Sequence, residues 1–317
     1  MIISSGFFVL SMKIIPLGTK AGGSAHIHRY PSSYYFSFEN EHCLIDAGEG
    51  VQFQLLRSGL SAHALKNIFI THLHGDHVLG LMGVLSNLSS EHRTNKLSIY
   101  GPKGLRELIE VLCRLTHVEF RFNCDIYELE EAFQGVFYTS NCITVEALPM
   151  EHRIPCFGYK ITELVRENID IDKATDLGVI QPEHFKRLKE ERFCTINSTN
   201  ITLEEILLPK VTPRTVVFCG DTRPCTNAVS IAQDCDVLIY ESTFADNLKT
   251  KAHERYHSTA KQAAEVARQA NVTLLYLTHI SNRYDDATPL VEEACTIFPN
   301  TYLCKELEEI IIPKHSL

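Results

Sequence analysis

The sequence carries little positive charge for its length, which argues against one common class of function. Its 317 residues include 30 lysines and arginines against 39 acidic residues, giving a formal charge of −9 at pH 7. Proteins that bind nucleic acid through general electrostatic attraction usually carry a basic patch. A bound metal cation can still attract phosphate on an acidic protein, because the ion is often the largest charge in its site. The composition therefore disfavours a broadly basic surface but leaves a metal-dependent site open.

Paired cysteines are also missing. The chain contains 11 cysteines, and no two of them form a C-x-x-C pair. This spacing predicts neither a structural zinc ribbon nor a thioredoxin-type redox motif. An odd number of scattered cysteines in a protein of this size favours reduced, mostly buried thiols and a cytoplasmic location.

Long apolar runs are absent as well. The apolar residues near the start, Ile2, Ile3 and Phe7 to Leu10, make a segment far too short to span a bilayer. They lack the cationic lead and small-residue cleavage site of a secretory signal. With 44% hydrophobic and 22% charged residues, the chain has the composition of a soluble globular protein, so we expect no membrane contact. Its length allows one large α/β domain or two small ones.

One short segment concentrates the chemistry that the sequence does have. His72, His74, Asp76 and His77 follow the apolar run 68–70 within a single turn. Such a run leading into a polar turn predicts a buried strand that ends at a site. Imidazole and carboxylate groups suit zinc or a similar divalent ion, and ligands this close can serve two ions, which makes hydrolysis the first hypothesis. A shuffled chain would contain H-x-H-x-D-H only on the order of once in a thousand cases, so we favour metal binding over chance clustering.

Further polar residues stand beside apolar runs elsewhere in the chain. Because strand ends converge at one edge of a sheet, we expect these residues to lie near the metal turn. They are His152, Asp221, Glu241 and His279.

These motifs together resemble the ribonuclease Z family of the metallo-β-lactamase superfamily over nearly the whole chain. H-x-H-x-D-H marks the superfamily, whereas the blocks Glu241-Ser242-Thr243-Phe244 and His257-Ser258-Thr259-Ala260 are specific to the family. Further matching segments are 17–19, 31–33, 44–50, 101–102, 152–155, 158–159, 220–222 and 279–284.

The resemblance implies an α/β fold of the four-layer αββα sandwich type, with two facing sheets and helices outside each. Periodicity alone does not choose between this sandwich and a doubly wound sheet. Because the family commonly begins near Met12, we expect residues 12–317 to form a single domain and residues 1–11 to be an N-terminal extension or a misassigned start. The pattern predicts helices at 49–57, 78–88, 105–115, 259–270 and 289–298, and strands near 14 and at 34–38, 43–45, 97–100 and 272–277.

Residues 162–213 interrupt this pattern with sparse apolar positions and alternating charges. Such composition is typical of a solvated insertion. The resemblance instead implies an arm that binds the tRNA elbow from the partner subunit, although its tip at 180–182 departs from the glycine- and proline-rich family pattern. The candidates for phosphate contact, interleaved with glutamates, are Lys186, Arg187, Lys189 and Arg192.

The resemblance also implies a ligand set for two zinc ions per subunit, with manganese as the alternative. It assigns His72, His74 and His152 to one ion, Asp76, His77 and His279 to the other, and Asp221 to both. Two cations held about 3.5 to 4 Å apart can lower the pKa of a water molecule and stabilise an in-line displacement at phosphorus. Asp76 is an alternative candidate for orienting or deprotonating the nucleophile.

Two further residues are candidates for proton transfer. We expect His257 to act as general acid towards the departing ribose 3′-oxygen, with Glu241 hydrogen-bonded to the far nitrogen of its ring. The alternative is that His257 caps the following helix. Asp46 is expected to contact the side chains that bind the metal ions rather than to bind the ions directly. The candidates for substrate contact, with ordinary turn hydrogen bonds as the alternative for the serines, are Ser32, Ser33, Ser281 and Arg283.

These expectations predict a two-metal endoribonuclease that removes the 3′ trailer from precursor tRNA and leaves a 3′-hydroxyl. The family also implies a homodimer, with no nucleotide cofactor. The alternatives are another hydrolase of the same fold, such as a phosphodiesterase or arylsulfatase, and a catalytically silent RNA-binding protein. A redox enzyme of this fold would normally carry a glutamate in place of His74 and a flavin domain downstream.

Overall fold

The computed structural model describes residues 11–196 and 198–315. Apart from Ser11, the predicted N-terminal extension lies outside these residues. The strands are β1 (Met12–Gly18), β2 (Ser33–Phe38), β3 (Glu41–Ile45), β4 (Asn67–Phe69), β5 (Leu97–Pro102), β6 (Cys124–Leu129), β7 (Gly135–Thr139), β8 (Ile143–Pro149), β9 (Phe157–Glu163), β10 (Phe193–Ile196), β11 (Thr199–Thr202), β12 (Thr215–Phe218), β13 (Val237–Glu241), β14 (Leu274–Thr278), β15 (Thr301–Leu303) and β16 (Ile310–Ile312). The helices are α1 (Val51–Arg57), α2 (Gly75–Val78), α3 (Leu81–Ser90), α4 (Leu105–Thr116), α5 (Ile171–Asp176), α6 (Pro182–Glu191), α7 (Thr226–Ala232), α8 (Lys249–Glu254), α9 (Ala260–Gln269) and α10 (Thr288–Cys295).

Two mixed sheets of seven strands each form the centre of residues 11–163 and 214–313, which make one compact unit. The first sheet has the order β16-β1-β2-β3-β4-β5-β6, and the second β15-β14-β13-β12-β9-β8-β7. In the first, β3 through β6 run parallel, and in the second, β12 through β15 do. Each sheet therefore has a group of neighbouring strands whose carboxyl ends meet at the same edge.

The two sheets face each other across an aromatic core. Phe69 of β4 lies 5.9 Å from Tyr159 of β9, and Tyr34 of β2 lies 5.6 Å from Phe218 of β12, measured between ring centroids. All four rings are buried, and burial of an aromatic or aliphatic side chain of this size contributes roughly 1.5 to 3 kcal/mol. Since β2 is buried on both faces, its sequence lacks the apolar and polar alternation of a half-exposed strand.

Helices cover the outer face of each sheet. Leu85 of α3 and Ile109 of α4 pack with Ile68 against the first sheet. On the second sheet, α9 presents a buried face made largely of alanine, which lets the helix approach the strands closely. The predicted four-layer αββα sandwich is therefore confirmed.

The predicted strands and helices are confirmed within small shifts at their ends, with one exception. The sequence pattern predicts one helix over 78–88, but the structure has α2 ending at Val78 and α3 beginning at Leu81. The break allows Gly80 to pack against the backbone of Gly48, where a Cβ at Gly80 would lie 2.0 Å from the Gly48 carbonyl oxygen. The backbone N–H of Gly80 donates to the Ala47 carbonyl at 2.9 Å. These contacts of Gly80 with Ala47 and Gly48 hold the metal turn against the segment that follows β3.

Residues 164–213 form a second compact unit, made of α5, α6 and the hairpin of β10 and β11. The sequence suggested sparse apolar positions, yet the unit has its own buried cluster. A wholly solvated insertion, the alternative that the charge pattern left open, therefore does not describe this unit. The cluster consists of Ala174, Val179, Leu188, Cys194, Ile201, Leu203 and Ile206.

The insertion leaves and rejoins the first unit between two neighbouring strands. The backbone N–H of Glu163, at the end of β9, donates to the Arg214 carbonyl at 2.9 Å. The Arg214 guanidinium, which is 1% exposed, binds the Glu163 carboxylate with its Nε at 2.8 Å and its Nη2 at 3.0 Å. A buried bidentate pair of this kind is among the stronger hydrogen-bonded ion pairs.

All 11 cysteines are free, and seven of them are buried, in agreement with the prediction of unpaired, mostly buried thiols. Among the described residues, no helix has the length and apolar content needed to cross a bilayer.

Candidate metal centre

The predicted ligands follow the ends of different strands and meet at one edge of the sandwich. His72, His74 and the residues of α2 follow β4, Asp221 follows β12, and His279 follows β14. His152 follows the antiparallel strand β8. Because β12 and β14 are parallel strands of the second sheet, Asp221 and His279 fall at the same edge of that sheet. His72 follows β4 of the first sheet and meets them there, with its Nε2 3.7 Å from Asp221 Oδ2.

Three imidazole nitrogens converge in the first group. His74 Nδ1 lies 3.1 Å from His72 Nε2 and 3.1 Å from His152 Nε2. The Asp221 Oδ2 atom lies 3.7 Å from His72 Nε2. These four atoms therefore surround one point.

A second group shares Asp221 with the first. His279 Nε2 lies 3.3 Å from Asp76 Oδ2, 3.3 Å from Asp221 Oδ2 and 3.4 Å from His77 Nε2. His77 Nε2 lies 3.4 Å from Asp221 Oδ1 and 3.5 Å from Asp76 Oδ2. Asp221 Oδ2 thus belongs to both groups, as a carboxylate shared by two ions requires.

The spacing of these atoms fits divalent metal ions. A tetrahedral zinc site with ligands at about 2.0 to 2.1 Å has ligand-to-ligand edges of about 3.3 Å. The distances within the two groups run from 3.1 to 3.7 Å, close to that edge. Ring nitrogens this close to one another repel when protonated, so a shared cation explains their convergence better than hydrogen bonding does. We conclude that the residues present fit a divalent metal centre.

The far nitrogens of the rings are held by other side chains. His77 Nδ1 lies 2.7 Å from Asp46 Oδ2, and the Thr71 hydroxyl lies 3.0 Å from His72 Nδ1 while donating to Asp46. Thr243 Oγ1 lies 2.9 Å from His279 Nδ1. Partners of this kind fix the tautomer and orientation of a metal-binding imidazole. Asp46 thus occupies the supporting position that the sequence suggested.

Backbone strain is concentrated in the same place. Asp46 and His279 adopt φ values of 57° and 55°, in the left-handed region that side chains other than glycine rarely adopt. Such conformations cost on the order of 1 to 3 kcal/mol and persist where the surroundings demand them. Here they turn the chain sharply at the ends of β3 and β14, so that both side chains face the centre.

The charge states of the ligands also favour metal binding. Burial, helped by the neighbouring His77, holds the pKa of His72 well below its usual range, which favours the neutral ring that binds metals. Burial alone would raise the pKa of the Asp221 carboxyl, yet the adjacent His279 and His77 hold that pKa well below normal. Asp221 is therefore ionised and ready to bind cations.

His257 and Glu241 form a separate pair beside the metal ligands. His257 Nδ1 lies 2.8 Å from Glu241 Oε1, the contact expected for an oriented imidazole. Burial on its own lowers the pKa of His257, but the Glu241 carboxylate outweighs it and raises that pKa to about 9. The helix-capping alternative does not describe His257, because Thr259 is the N-cap of α9 and forms a reciprocal capping box with Gln262.

The candidate residues for substrate contact lie in different surroundings. Ser32 is buried beside Asp46 and His279. Ser33 is fully buried with its hydroxyl directed to the Pro31 carbonyl, which is a local structural contact. The Ser281 hydroxyl accepts from Arg283 Nε at 3.0 Å, and the Arg283 guanidinium stacks over Phe244.

In the inserted unit, Lys186, Arg187 and Lys189 lie on the exposed face of α6. Arg192 differs, because its guanidinium binds the carboxylates of both Glu167 and Glu204. It therefore holds the unit together and has less freedom to bind phosphate.

Sequence reasoning missed the supporting roles of Thr71, Thr243 and Glu306. Thr71 and Thr243 stood beside recognised residues, so adjacency to a ligand at a strand end was the available signal. Glu306 accepts hydrogen bonds from the backbone of Thr19 at 3.1 Å and of Tyr30 at 2.8 Å. No pattern links residues so far apart in the chain.

Comparisons with known proteins agree with this geometry. Residues 12–291 match the model of a family described as "Anti-Pycsar protein Apyc1". The ribonuclease Z of Bacillus mycoides is 38% identical over 275 residues, covering 86% of this chain and 89% of the relative. The ribonuclease Z of Gloeothece citriformis is 37% identical over 312 residues, covering 96% and 97%.

Solved structures of tRNase Z proteins also resemble this chain. Human tRNase Z, short form, aligns with a TM-score of 0.70 and 27% identity, covering 95% of this chain and 100% of that chain. A long-form RNase Z from yeast aligns with a TM-score of 0.68 and 18% identity, covering 95% of this chain and 42% of that chain. The latter likeness supports the fold alone.

Proposed function

The chain belongs to the ribonuclease Z family and to the family described as Anti-Pycsar protein Apyc1, and we propose that it is a two-metal endoribonuclease acting on precursor tRNA. It removes the 3′ trailer and leaves a 3′-hydroxyl on the tRNA. The observation that carries the proposal is the pair of ligand groups joined by Asp221, whose Oδ2 lies 3.7 Å from His72 Nε2 and 3.3 Å from His279 Nε2.

When bound, two divalent ions supply an activated water and neutralise charge on the scissile phosphate. His72, His74 and His152 hold one ion, and Asp76, His77 and His279 the other, with Asp221 on both. The histidine-rich ligand set favours zinc, and manganese is the alternative. Asp46 and Thr243 keep the imidazoles aimed at the ions through their far nitrogens.

His257 is the general acid of the proposed reaction. The bond that breaks releases the ribose 3′-oxygen, a poor leaving group that benefits from a proton. Glu241 keeps the ring oriented and protonated, since its carboxylate favours the imidazolium. The proton passes to the 3′-oxygen, which becomes the 3′-hydroxyl of the tRNA.

The inserted unit is proposed to bind the tRNA away from the scissile bond. Its support is the exposure of three basic residues on α6, Lys186, Arg187 and Lys189, which glutamates of the same helix accompany. Changing all three to glutamine should raise the KM for precursor tRNA and flatten its salt dependence, because each lost phosphate contact removes about 0.9 from the slope of log affinity against log salt. Lys103 and Arg114, both exposed elsewhere, provide a control pair whose change to glutamine leaves the slope intact.

A homodimer is proposed on family grounds, with α1 as a contact. Leu56 on this helix is 79% exposed, and an apolar side chain at that exposure is suited to an interface. Light scattering of the purified protein tests this, and a monomeric mass at micromolar concentration would contradict it.

The proposed activity is tested directly by incubating the metal-loaded protein with a trailer-bearing precursor tRNA and mapping the cut. We expect cleavage just after the discriminator nucleotide and a 3′-hydroxyl on the tRNA. His257→Ala should lower kcat by about 10²- to 10⁴-fold, as loss of a general acid does, with metal content unchanged. Hydrolysis of small phosphodiesters by a fully metallated sample that leaves the precursor intact would instead favour a small-molecule phosphodiesterase of the same fold.

A further inference from the structure

His152 is oriented by a backbone carbonyl rather than by a side chain. Its Nδ1 donates to the Tyr256 carbonyl at 3.1 Å, while its Nε2 lies 3.1 Å from His74 Nδ1 in the first ligand group. Because a carbonyl oxygen can only accept, this contact leaves Nε2 without a proton and directs its lone pair at the ion. The position of the Tyr256 carbonyl therefore decides the orientation of one metal ligand.

Tyr256 occupies a place in the chain where glycine is usual. The backbone N–H of Tyr256 donates to the His253 carbonyl at 3.2 Å. The backbone N–H of His257 donates to the Ala252 carbonyl at 2.9 Å. This pair of bonds is the Schellman arrangement that ends many helices, and Tyr256 takes its left-handed position with a φ of 59°. A side chain is strained in that conformation, so its retention requires a contact that glycine cannot make.

Arg223 makes that contact. The central carbon of its guanidinium lies 4.4 Å from the centroid of the Tyr256 ring. Its Nε binds the Glu151 carboxylate at 2.7 Å, and its backbone N–H donates to the Glu151 carbonyl at 3.1 Å. The Arg223 side chain is 26% exposed, so the stack is partly shielded from water, which strengthens a cation–π contact.

The partners of Arg223 are the immediate neighbours of two site residues. Glu151 precedes His152, and Tyr256 precedes His257. The rings of the two histidines lie 5.3 Å apart between centroids, although one follows β8 and the other follows α8. One guanidinium therefore joins two segments that are far apart in the chain and carry adjacent side chains of the site.

We propose that Arg223 is a positioning residue of the metal centre and acts through Tyr256 on both His152 and His257. By holding the Tyr256 peptide, it keeps His152 Nε2 directed at the first ion and His257 beside the leaving oxygen. The action on His152 depends on the metal centre alone, whereas the action on His257 rests on the general-acid role in the proposed function. Each action has its own readout.

The test uses Tyr256→Gly, Arg223→Met and the variant that combines them. Tyr256→Gly removes the ring and relieves the backbone strain, so the fold should remain as stable as that of the native protein. Arg223→Met removes the charge and the flat face of the guanidinium. Arg268→Met, at an exposed arginine on α9, is the matched control, and His152→Ala identifies the ion that His152 binds. If Arg223→Met does not fold, Tyr256→Gly carries the test alone.

Metal affinity is measured without substrate, by competition with a chelator that removes the two ions in separate steps. Tyr256→Gly and Arg223→Met should each weaken by about tenfold the step that His152→Ala abolishes, the lower end of the range for an outer contact because the carbonyl itself remains. The other step should change by less than about threefold. The combined variant should lose no more than either single variant, because both changes break the same contact.

Arg268→Met should bind both ions with native affinity. Equal weakening of both steps, additive losses in the combined variant, or native affinity in Tyr256→Gly would each overturn the proposal.

The action on His257 is measured with the metal ions at saturating concentration. The substrates are the p-nitrophenyl and phenyl esters of thymidine 5′-monophosphate, which differ in the basicity of the leaving oxygen and require no recognition of tRNA. Phenolate is the more basic leaving group and depends more on a donated proton. The ratio of the two kcat values should therefore widen by about tenfold in Tyr256→Gly and Arg223→Met, a part of what loss of a general acid costs.

His257→Ala separates this proposal from the proposed function. A wider ratio in His257→Ala but not in Tyr256→Gly or Arg223→Met would overturn the action on His257. No widening in His257→Ala would contradict the general-acid role itself, and the metal affinities then decide whether Arg223 positions His152. Failure of the native protein to cleave precursor tRNA would contradict the proposed function and leave the metal readout intact.

Discussion

Changing Glu241 to glutamine removes one negative charge from the pair with His257 while keeping the shape of the side chain. In the structure, Glu241 Oε1 accepts from the Thr222 backbone at 2.9 Å and faces His257 Nδ1 at 2.8 Å. Its Oε2 accepts from the Thr243 hydroxyl at 2.7 Å and from the Ser258 backbone at 3.1 Å. A glutamine can replace only one of these oxygens as an acceptor, because its NH₂ group is a donor.

The size of the effect follows from the pKa of His257. That pKa is raised from 6.5 to about 9, with burial opposing the rise and Glu241 as its chief cause. A rise of this size corresponds to about 3 kcal/mol of stabilisation of the imidazolium. The stabilising contribution is complete below pH 6.5 and is lost as pH rises through about 9. In Glu241→Gln this contribution should be lost at a pH at least one unit lower. Two backbone or ring N–H groups would then face the NH₂ group of the glutamine instead of an oxygen, which should lower the free energy of unfolding by roughly 2 to 4 kcal/mol.

The assay is kcat for a precursor tRNA between pH 6 and 10, together with urea unfolding of the metal-loaded protein. The alkaline limb of the kcat profile should shift to lower pH, and kcat at pH 8 should fall by one to two orders of magnitude. Glu254→Gln, an exposed carboxylate on α8, is the matched control and should change neither limb nor stability. An unshifted alkaline limb, or loss of one metal ion per chain, would refute the assignment of Glu241 and His257 to proton transfer.

Three further changes test other parts of the molecule. Burial raises the pKa of Glu306 from 4.5 to about 7, although donors that include the backbone of Tyr30 oppose the rise. The protonated carboxyl therefore stabilises the fold fully below pH 4.5, and about 3 kcal/mol of that stability should be lost by pH 7. Glu306→Gln should flatten this part of the curve of unfolding free energy against pH, and an unchanged curve would contradict the assignment. Gly80→Ala places a methyl group against the Gly48 carbonyl, so calorimetry should show a loss of about 1 to 3 kcal/mol and atomic absorption a reduced metal content. Leu188→Ala leaves a cavity in the core of the inserted unit. Amide hydrogen exchange within residues 164–213 should become faster, by an amount equivalent to a loss of about 2 to 5 kcal/mol in local unfolding free energy. Cleavage of precursor tRNA should fall, whereas hydrolysis of a small chromogenic phosphodiester should not change.

The ligand positions could be predicted from the sequence because each stands directly after an apolar run. In the second sheet, the residues after the parallel strands β12 and β14 must lie at the same edge, which gathers Asp221 and His279. His72 follows β4 of the first sheet, so its approach to them depends on how the two sheets pack, which the strand-end rule does not give. The sequence also placed His152 near the metal turn because it follows the apolar run 143–148, although β8 is antiparallel to its neighbours, so the rule for parallel strand ends does not explain its position at that edge.

Other features depend on contacts that no local pattern encodes. The break between α2 and α3 exists because Gly80 meets Gly48, and helical periodicity continues through the break. Glu306 closes on Thr19 and Tyr30 from a segment more than 270 residues away. Lys20 appears in the sequence as an ordinary loop lysine, and only the structure shows that it is buried with its ammonium donating to the Ala21 carbonyl.

The ion pair between Glu163 and Arg214 makes the insertion separable from the sandwich. The two ends of the insertion are held side by side by this ion pair. The strands β9 and β12 are paired there in antiparallel register, with Thr162 opposite Thr215. A tight turn could therefore replace the whole excursion and convert the two strands into an ordinary hairpin, since the entropy of closing so short a loop is small. The same anchor would accept a foreign segment of another length, so the sandwich offers a grafting point at which the inserted unit can be exchanged without rebuilding the metal centre.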